Sequence, residues 1–444
     1  MLSRRGFLPI LAAGASRAGA SVSRTPRRPN IVMLYADDLG YGDLGCYGHP
    51  TIRTPNLDRL AARGMRFTNW YSAASVCTPS RAALLTGRYP VRTGLNHVLS
   101  PGSAAGLPAS EITLPQLLRE AGYSTSMVGK WHLGDRPQFL PCQRGFDTSF
   151  AIPYSNDMTS SPVPGVQSSV AYPPLPLLRN DKSIETNPDQ TFLTQRFTAE
   201  AVRTIRSAGR RPFFLYFAHT APHVPLYAGP QFRGRSARGA YGDVVEEMDW
   251  SVGEVMQALE DAGHLHDTLV VFSSDNGPWL AQRQQGGSAG LLRSGKTSVY
   301  EGGMREPCIA WCPGLIPSRS VNSSVCSMLD LLPTFAALAG AALPASLVLD
   351  GQDIAPVLAG AAGPERELFY WNDAELRGLR RGPWKLRVNP GFSPGGGTPG
   401  LGAPELYNLD EDPSEEYDLA ADRPVLAQDL LARMSAHAAS VTPR

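Results

Sequence analysis

Four short, largely apolar runs constrain this chain most. They cover residues 31–36, 126–128, 213–218 and 269–272. A strand buried on both faces reads as a continuous apolar run, and burial on both faces marks a parallel sheet covered by helices. Helix-like stretches lie between the runs, at 56–64, 114–121, 190–207 and 244–261. Such alternation predicts an α/β fold with a mostly parallel sheet. At 444 residues, 42% of them hydrophobic, the chain can build one large domain and a smaller one.

In open α/β sheets, ligands bind beyond the carboxyl ends of the strands. Each of the four runs leads into polar chemistry at that end. The first reaches Asp37-Asp38, and the second Gly129-Lys130-Trp131-His132. The third leads to His219 and then Pro222-His223-Val224-Pro225, and the fourth to Ser273-Ser274-Asp275-Asn276-Gly277. Any one of these could be a solvated loop, and Asp-Asn-Gly alone is a common turn. Four together converge on one edge of one sheet. Asp37, Asp38, Asp275 and Asn276 are hard oxygen ligands, suited to Ca2+ or Mg2+ and poor for zinc. Adjacent carboxylates repel each other unless a cation lies between them. Arg81, Lys130, His132, His223 and Lys296 supply cationic or proton-transferring groups. The set describes a site for an oxyanion with a divalent metal, which is sulfuryl or phosphoryl transfer chemistry.

Cys77-Thr78-Pro79-Ser80-Arg81 adds a thiol to this set. Pro79 is tolerated in a first helical turn, Ala82 to Leu85 favour helix, and Gly87 is a stop. Cys77 therefore falls at or just before a helix N-terminus, where an anion is favoured. Arg81, at i+4, can share its face. Taken alone, a cysteine is more often a buried core thiol.

The net charge of +1 gives no electrostatic case for nucleic acid or an anionic membrane. No apolar run approaches the roughly 18 residues of a membrane span, so no stable membrane insertion is expected. Ser3-Arg4-Arg5-Gly6-Phe7-Leu8 and the small residues through Ala20 resemble a twin-arginine export signal. Such a leader would be cut near Ala18-Gly19-Ala20 and place a bacterial protein in the periplasm or outside the cell. The six cysteines, at 46, 77, 142, 308, 312 and 326, form no dense framework. Cys308 and Cys312 lack the second pair or the histidine that zinc requires.

These residues resemble the type I sulfatases, in which the signature cysteine becomes Cα-formylglycine. Cys77-Thr78-Pro79-Ser80-Arg81 and Thr86-Gly87-Arg88-Tyr89-Pro90 carry the likeness. So do Ala36-Asp37-Asp38-Leu39-Gly40-Tyr41-Gly42-Asp43, Gly129-Lys130-Trp131-His132-Leu133-Gly134 and Tyr300-Glu301-Gly302-Gly303. Ile152-Pro153-Tyr154-Ser155 and Gly290-Leu291-Leu292-Arg293 are similar to loops of the arylsulfatase A group.

The resemblance implies an alkaline-phosphatase-like fold: a mixed, mostly parallel sheet flanked by helices, with a smaller C-terminal α+β domain. It divides the chain into a leader at 1–28, a catalytic domain at 29–345 and a C-terminal domain at 346–444. Asp37, Asp38, Asp275, Asn276 and the modified Cys77 would ligate Ca2+, with Mg2+ the alternative. One hydroxyl of the hydrated aldehyde would attack sulfur, and His132 would take the proton of the other to expel sulfate. Arg81 would hold the formylglycine. Lys130, His223 and Lys296 would grip the sulfate oxygens or protonate the leaving alcohol, and Ser155 would bond the substrate. Of His219 and His223, the Pro-His-x-Pro setting favours His223.

The implied partners are a sulfated small molecule, glycan or lipid and a formylglycine-generating maturation enzyme. A phosphodiesterase or phosphonate monoester hydrolase could use the same aldehyde, given a pocket for a second substituent. A catalytically silent binding protein would have lost a metal ligand or the cysteine, and all are present. The segments 160–176 and 389–404 depart from the family and bear on substrate choice.

Overall fold

The computed structural model describes residues 28–160, 170–388 and 404–441. The export leader and the greater parts of 160–176 and 389–404 lie outside them. A ten-stranded sheet forms the centre. Its five inner strands run parallel, in the order Thr268–Ser274, Asn30–Ala36, Phe213–Ala218, Ser124–Lys130 and Thr148–Ile152. Four of these are the strands expected from the apolar runs, and they are consecutive neighbours. The ladder carries three of them further than their apolar runs, the first only by Asn30. Polar Ser273 and Ser274 still pair with Tyr35 and Ala36, and the second run lengthens to Ser124–Lys130.

Antiparallel strands border this parallel block. On one side lie Cys308–Trp311, Met65–Phe67 and Ser320–Asn322, the last parallel to its neighbour. On the other side lie Pro176–Arg179 and Lys182–Thr186.

Successive side chains of each strand enter different layers. Ile31, Met33 and Tyr35 pack with Ala82–Leu85 and the Leu114–Glu120 and Leu331–Ala339 helices. Val32, Leu34 and Ala36 pack with the Pro55–Arg63, Leu193–Arg206 and Ala240–Asp261 helices. The stretch expected as one helix over 190–207 opens with a 3-10 turn, Gln190–Phe192, before the α-helix begins.

Four antiparallel strands follow in chain order: Glu367–Asn372, Glu375–Arg381, Trp384–Arg387 and Glu405–Asn408. The Pro424–Ser440 helix covers them through Ala427, Leu430 and Met434. Leu379, Leu386 and Leu406 join the same apolar core as Leu329, Leu332 and Phe335. The small sheet therefore shares its interior with one face of the large one. All six cysteines are free thiols. No described helix is long and apolar enough to cross a membrane.

Candidate active site

The Cys77–Thr86 helix begins at the cysteine and ends on Gly87, whose φ of 66° lies in the left-handed region. Every polar residue of the motif ties this helix to a strand end. Thr78 Oγ1 donates to the carbonyl of His132 at 2.9 Å. Ser80 Oγ donates to the carbonyl of Asp275. Arg81 donates from Nε and Nη2 to Asp275 Oδ2, and from Nη1 to the Lys130 carbonyl at 3.0 Å. Thr78 and Ser80 were not singled out from the sequence. Their alternation with Cys77 and Arg81 inside one signature was the only available signal.

Cys77 Sγ lies 3.5 Å from Asp37 Oδ1 and 4.0 Å from Asp38 Oδ1. Lys296 Nζ lies 3.6 Å from the same sulfur and 2.7 Å from Asp38 Oδ2. Lys130 Nζ donates to Asp37 Oδ2 at 2.6 Å and to Ser155 Oγ at 3.0 Å. His223 Nε2 lies 3.5 Å from Asp38 Oδ2, and its Nδ1 donates to the Val224 carbonyl at 2.5 Å. The expected site residues thus meet at one edge of the sheet, almost all of them buried. His219 instead stacks on Phe217, with ring centroids 4.0 Å apart.

Two site residues sit in the left-handed backbone region, Asp38 at φ 62° and His132 at φ 60°. Non-glycine residues are uncommon there and cluster at functional sites. Gly129 precedes the pair Lys130-Trp131 at φ 105°, where a Cβ would lie 1.8 Å from the Ala218 carbonyl. Only glycine lets these two strand ends approach so closely.

The electrostatics follow from burial and the neighbouring charges. Burial alone would raise Asp37, but Lys130, His223, Arg81 and Lys296 together hold it well below the usual carboxylate range. Burial, with Asp37 and Asp38 adding to it, pushes Asp275 up to about 7 against the pull of Arg81. Burial also pushes the Cys77 thiol up, outweighing Lys130 and Lys296. Cys77 as a thiol is therefore protonated and a poor nucleophile.

Burial, then Lys130 and Arg81, lowers His132 well below the ordinary histidine value, so its ring is neutral. Its Nε2 lies 3.0 Å from the Leu99 carbonyl, which can only accept. The proton is thus on Nε2, and the buried Nδ1, which has no partner among the described residues, carries the free lone pair.

One ligand atom each from Asp37, Asp38, Cys77 and His223 falls within a 4.8 Å cluster. Asp275 Oδ1 accepts the Asp38 backbone N–H at 3.1 Å, bringing a third carboxylate to the same place. Asn276 Nδ2 donates to Asp38 Oδ1 at 2.7 Å, while its Oδ1 is buried without a partner among the described residues. Crowded carboxylates and an unpaired amide oxygen, all hard donors, fit a Ca2+- or Mg2+-type cation.

Tyr300-Glu301-Gly302-Gly303 stands behind the site and braces it. The Gly303 carbonyl accepts the Gly277 N–H at 3.2 Å, and the Gly302 N–H donates to the Arg293 carbonyl at 2.8 Å. This holds the Asp275-Asn276-Gly277 turn and the segment leading to Lys296 in fixed relation.

The sulfatase family model matches residues 29–341. Human arylsulfatase A (Homo sapiens) is 44% identical over 94% of this chain and 86% of its own length. N-acetylgalactosamine-6-sulfatase of the dog (Canis lupus familiaris) is 40% identical over 94% of this chain and 85% of its own length. Among solved structures, the PsFucS1 sulfatase from Pseudoalteromonas sp. superposes with a TM-score of 0.83 at 30% identity, covering 93% of this chain and 90% of its own. The likeness to named sulfatases thus runs over most of the chain in both sequence and fold, and this chain belongs to the sulfatase family of sulfate ester hydrolases.

Proposed function

We propose that Cys77 is matured to Cα-formylglycine and that the chain hydrolyses a sulfate ester to an alcohol and sulfate through that residue. One observation carries the reading. The buried, protonated Cys77 lies among three carboxylates and three cationic side chains, surroundings far richer than an inert core thiol needs. Asp37, Asp38, Asp275, Asn276 and residue 77 would hold Ca2+, or Mg2+ in its place. The cation would neutralise charge on the sulfate and acidify a hydroxyl, and the hydrated aldehyde would supply two hydroxyls on one carbon.

The chain's own residues divide the remaining work. Arg81 fixes Asp275 and the helix start, so residue 77 is held at the strand ends. Lys130, at the end of a strand, and Lys296, in the turn before the Glu301–Met304 helix, reach the site separately and attract the anionic sulfate oxygens. Ser155, bonded to Lys130, offers a hydroxyl beside them. His223 has Nδ1 engaged by Val224, which leaves Nε2 turned to the site; carrying a second proton there, as the imidazolium beside Asp38, it would protonate the departing alcohol. His132 presents its free Nδ1 as the base that takes a proton from the residue-77 side.

The division at 29–345 and 346–444 is proposed as the domain boundary. Export through the twin-arginine-type leader and maturation by a formylglycine-generating enzyme belong to the same reading. Relatives named for aryl and amino-sugar sulfates support a sulfated small molecule, glycan or lipid as substrate.

Mass spectrometry of the peptide carrying residue 77 tests the proposal. The matured residue is about 18 Da lighter than cysteine as the free aldehyde, and almost unchanged in mass as its hydrate. Active protein carrying only the thiol would sink the mechanism.

A further inference from the structure

Trp279 closely follows the metal-site pair Asp275 and Asn276, and none of the roles above uses it. Its ring centroid lies 4.5 Å from Lys296 Nζ and 5.6 Å from the His223 ring. Both neighbours contact Asp38 Oδ2, so the indole borders the site itself. The backbone around it is fixed: the Pro278 carbonyl accepts the Lys296 N–H at 2.9 Å, and the Trp279 carbonyl accepts the Gln282 N–H at 2.9 Å.

Buried tryptophans usually hide the ring and pair the N–H. Trp279 does neither. It is only half-buried, and its indole N–H has no acceptor among the described residues. Leu280, next in the chain, is also exposed, at 43% of its surface. A partly exposed indole with an exposed apolar neighbour therefore stands beside the lysine and histidine that would meet the sulfate and the departing oxygen.

We propose that Trp279 is a specificity-determining platform: the ring bearing the sulfate ester lies against its indole while Lys296 engages the sulfate. The proposal rests on the reading of the site given above and adds the substrate class, a sulfate on or adjoining a six-membered ring. Two chemistries share this shape. An aryl ring would stack offset on the indole, whereas a pyranose would present a C–H face and a hydroxyl for the indole N–H.

The test compares wild type, Trp279→Ala and Trp279→Phe on 4-nitrophenyl sulfate, galactose 6-sulfate and the acyclic ethyl sulfate. Binding of the same three to each form in a Cys77→Ala background is measured by calorimetry, so the result does not depend on turnover. Trp279→Ala is expected to weaken binding and raise KM about tenfold for the ring sulfates, while ethyl sulfate is unchanged. Trp279→Phe restores the aryl sulfate. If it fails to restore the sugar sulfate, the indole N–H is the added contact and the pyranose is the fitted ring. Equal losses of kcat on all three, with binding unaltered, would overturn the proposal, because Trp279 would then act only by placing Lys296. Unchanged behaviour would overturn it too. Failure of wild type to release sulfate from any ester counts against the site reading, while the binding contrast still decides the role of Trp279.

Discussion

Asp275 Oδ2 accepts two hydrogen bonds from one guanidinium, from Arg81 Nε at 3.0 Å and Nη2 at 2.7 Å, and both side chains are wholly buried. The same guanidinium lies 3.4 Å from Asp37 Oδ1 and donates to the Lys130 carbonyl. One residue on the Cys77 helix therefore clasps the ends of three strands. Burial by itself would lower Arg81, but Asp275 and Asp37 raise it, so it stays charged.

Arg81→Lys keeps the charge but loses the fork, since an ammonium cannot serve three directed acceptors in a plane. Sulfate release is expected to fall by more than about tenfold, because Asp275 and residue 77 lose their common anchor. Arg81→Ala leaves the buried Asp275 carboxylate without its guanidinium partner, while Asp37 keeps Lys130, and should cost about 3–5 kcal/mol of stability. Urea unfolding beside turnover assays checks both. A lysine variant as active and as stable as wild type would show that the fork is unimportant.

Ligand binding to the native state alone raises Tm in proportion to the logarithm of concentration. Added Ca2+ should therefore raise the Tm of chelator-treated protein. The informative variant is Asp38→Asn. Asp38 sits at φ 62°, a conformation that Asn tolerates and Ala does not. The amide keeps the backbone and removes the charge. The Ca2+-dependent rise in Tm should shrink or vanish in this variant, together with activity. An equal rise in both forms would place the cation elsewhere.

The inner sheet and the site were legible because their signals are local. Residues 31–36 and 213–218 are apolar throughout, and strands buried on both faces need no alternation. Their polar ends then fell where parallel sheets place chemistry. What stayed hidden depends on long-range pairing. Met65–Phe67 and Ser320–Asn322 are too short to carry a period, and each forms only because of its neighbour. Tyr300-Glu301-Gly302-Gly303 was readable as a motif, but not its work, since the groups that meet Glu301 include Tyr71, Tyr370 and Lys385. Trp279 carried no period, charge or spacing to mark it, and only the placement of Lys296 gives it meaning.

Lys385 Nζ lies 2.8 Å from Glu301 Oε1 and 3.0 Å from Glu415 Oε1, all three side chains being buried. This joins the C-terminal sheet to the turn behind the active site. Lys385→Met leaves the buried Glu415 without its cation, while Glu301 keeps Arg305 and Arg380, and should cost about 3–5 kcal/mol in chemical denaturation. Adding Glu301→Gln to it should cost less than the sum of the single changes, because the like charge facing Glu415 is removed. Strict additivity would mean that the two groups are not coupled.

Glu306 is wholly buried, and neither carboxylate oxygen has a hydrogen-bond partner among the described residues. Burial, reinforced by Asp275 and Asp38, raises its pKa well above the ordinary value, so the native state holds this proton at neutral pH. In the unfolded chain a glutamate ionises near about 4.3. Above that pH the native state binds the proton that the unfolded chain has lost, so this group makes stability fall as pH rises. Glu306→Gln has nearly the same shape and cannot titrate. Denaturation of both proteins at pH 5 and pH 8 should show the variant gaining stability relative to wild type at the higher pH. Taking the difference between the proteins cancels the titrations they share. A difference that does not change with pH would mean that Glu306 is ionised in the native state, and a cation or an ion pair would then have to neutralise it.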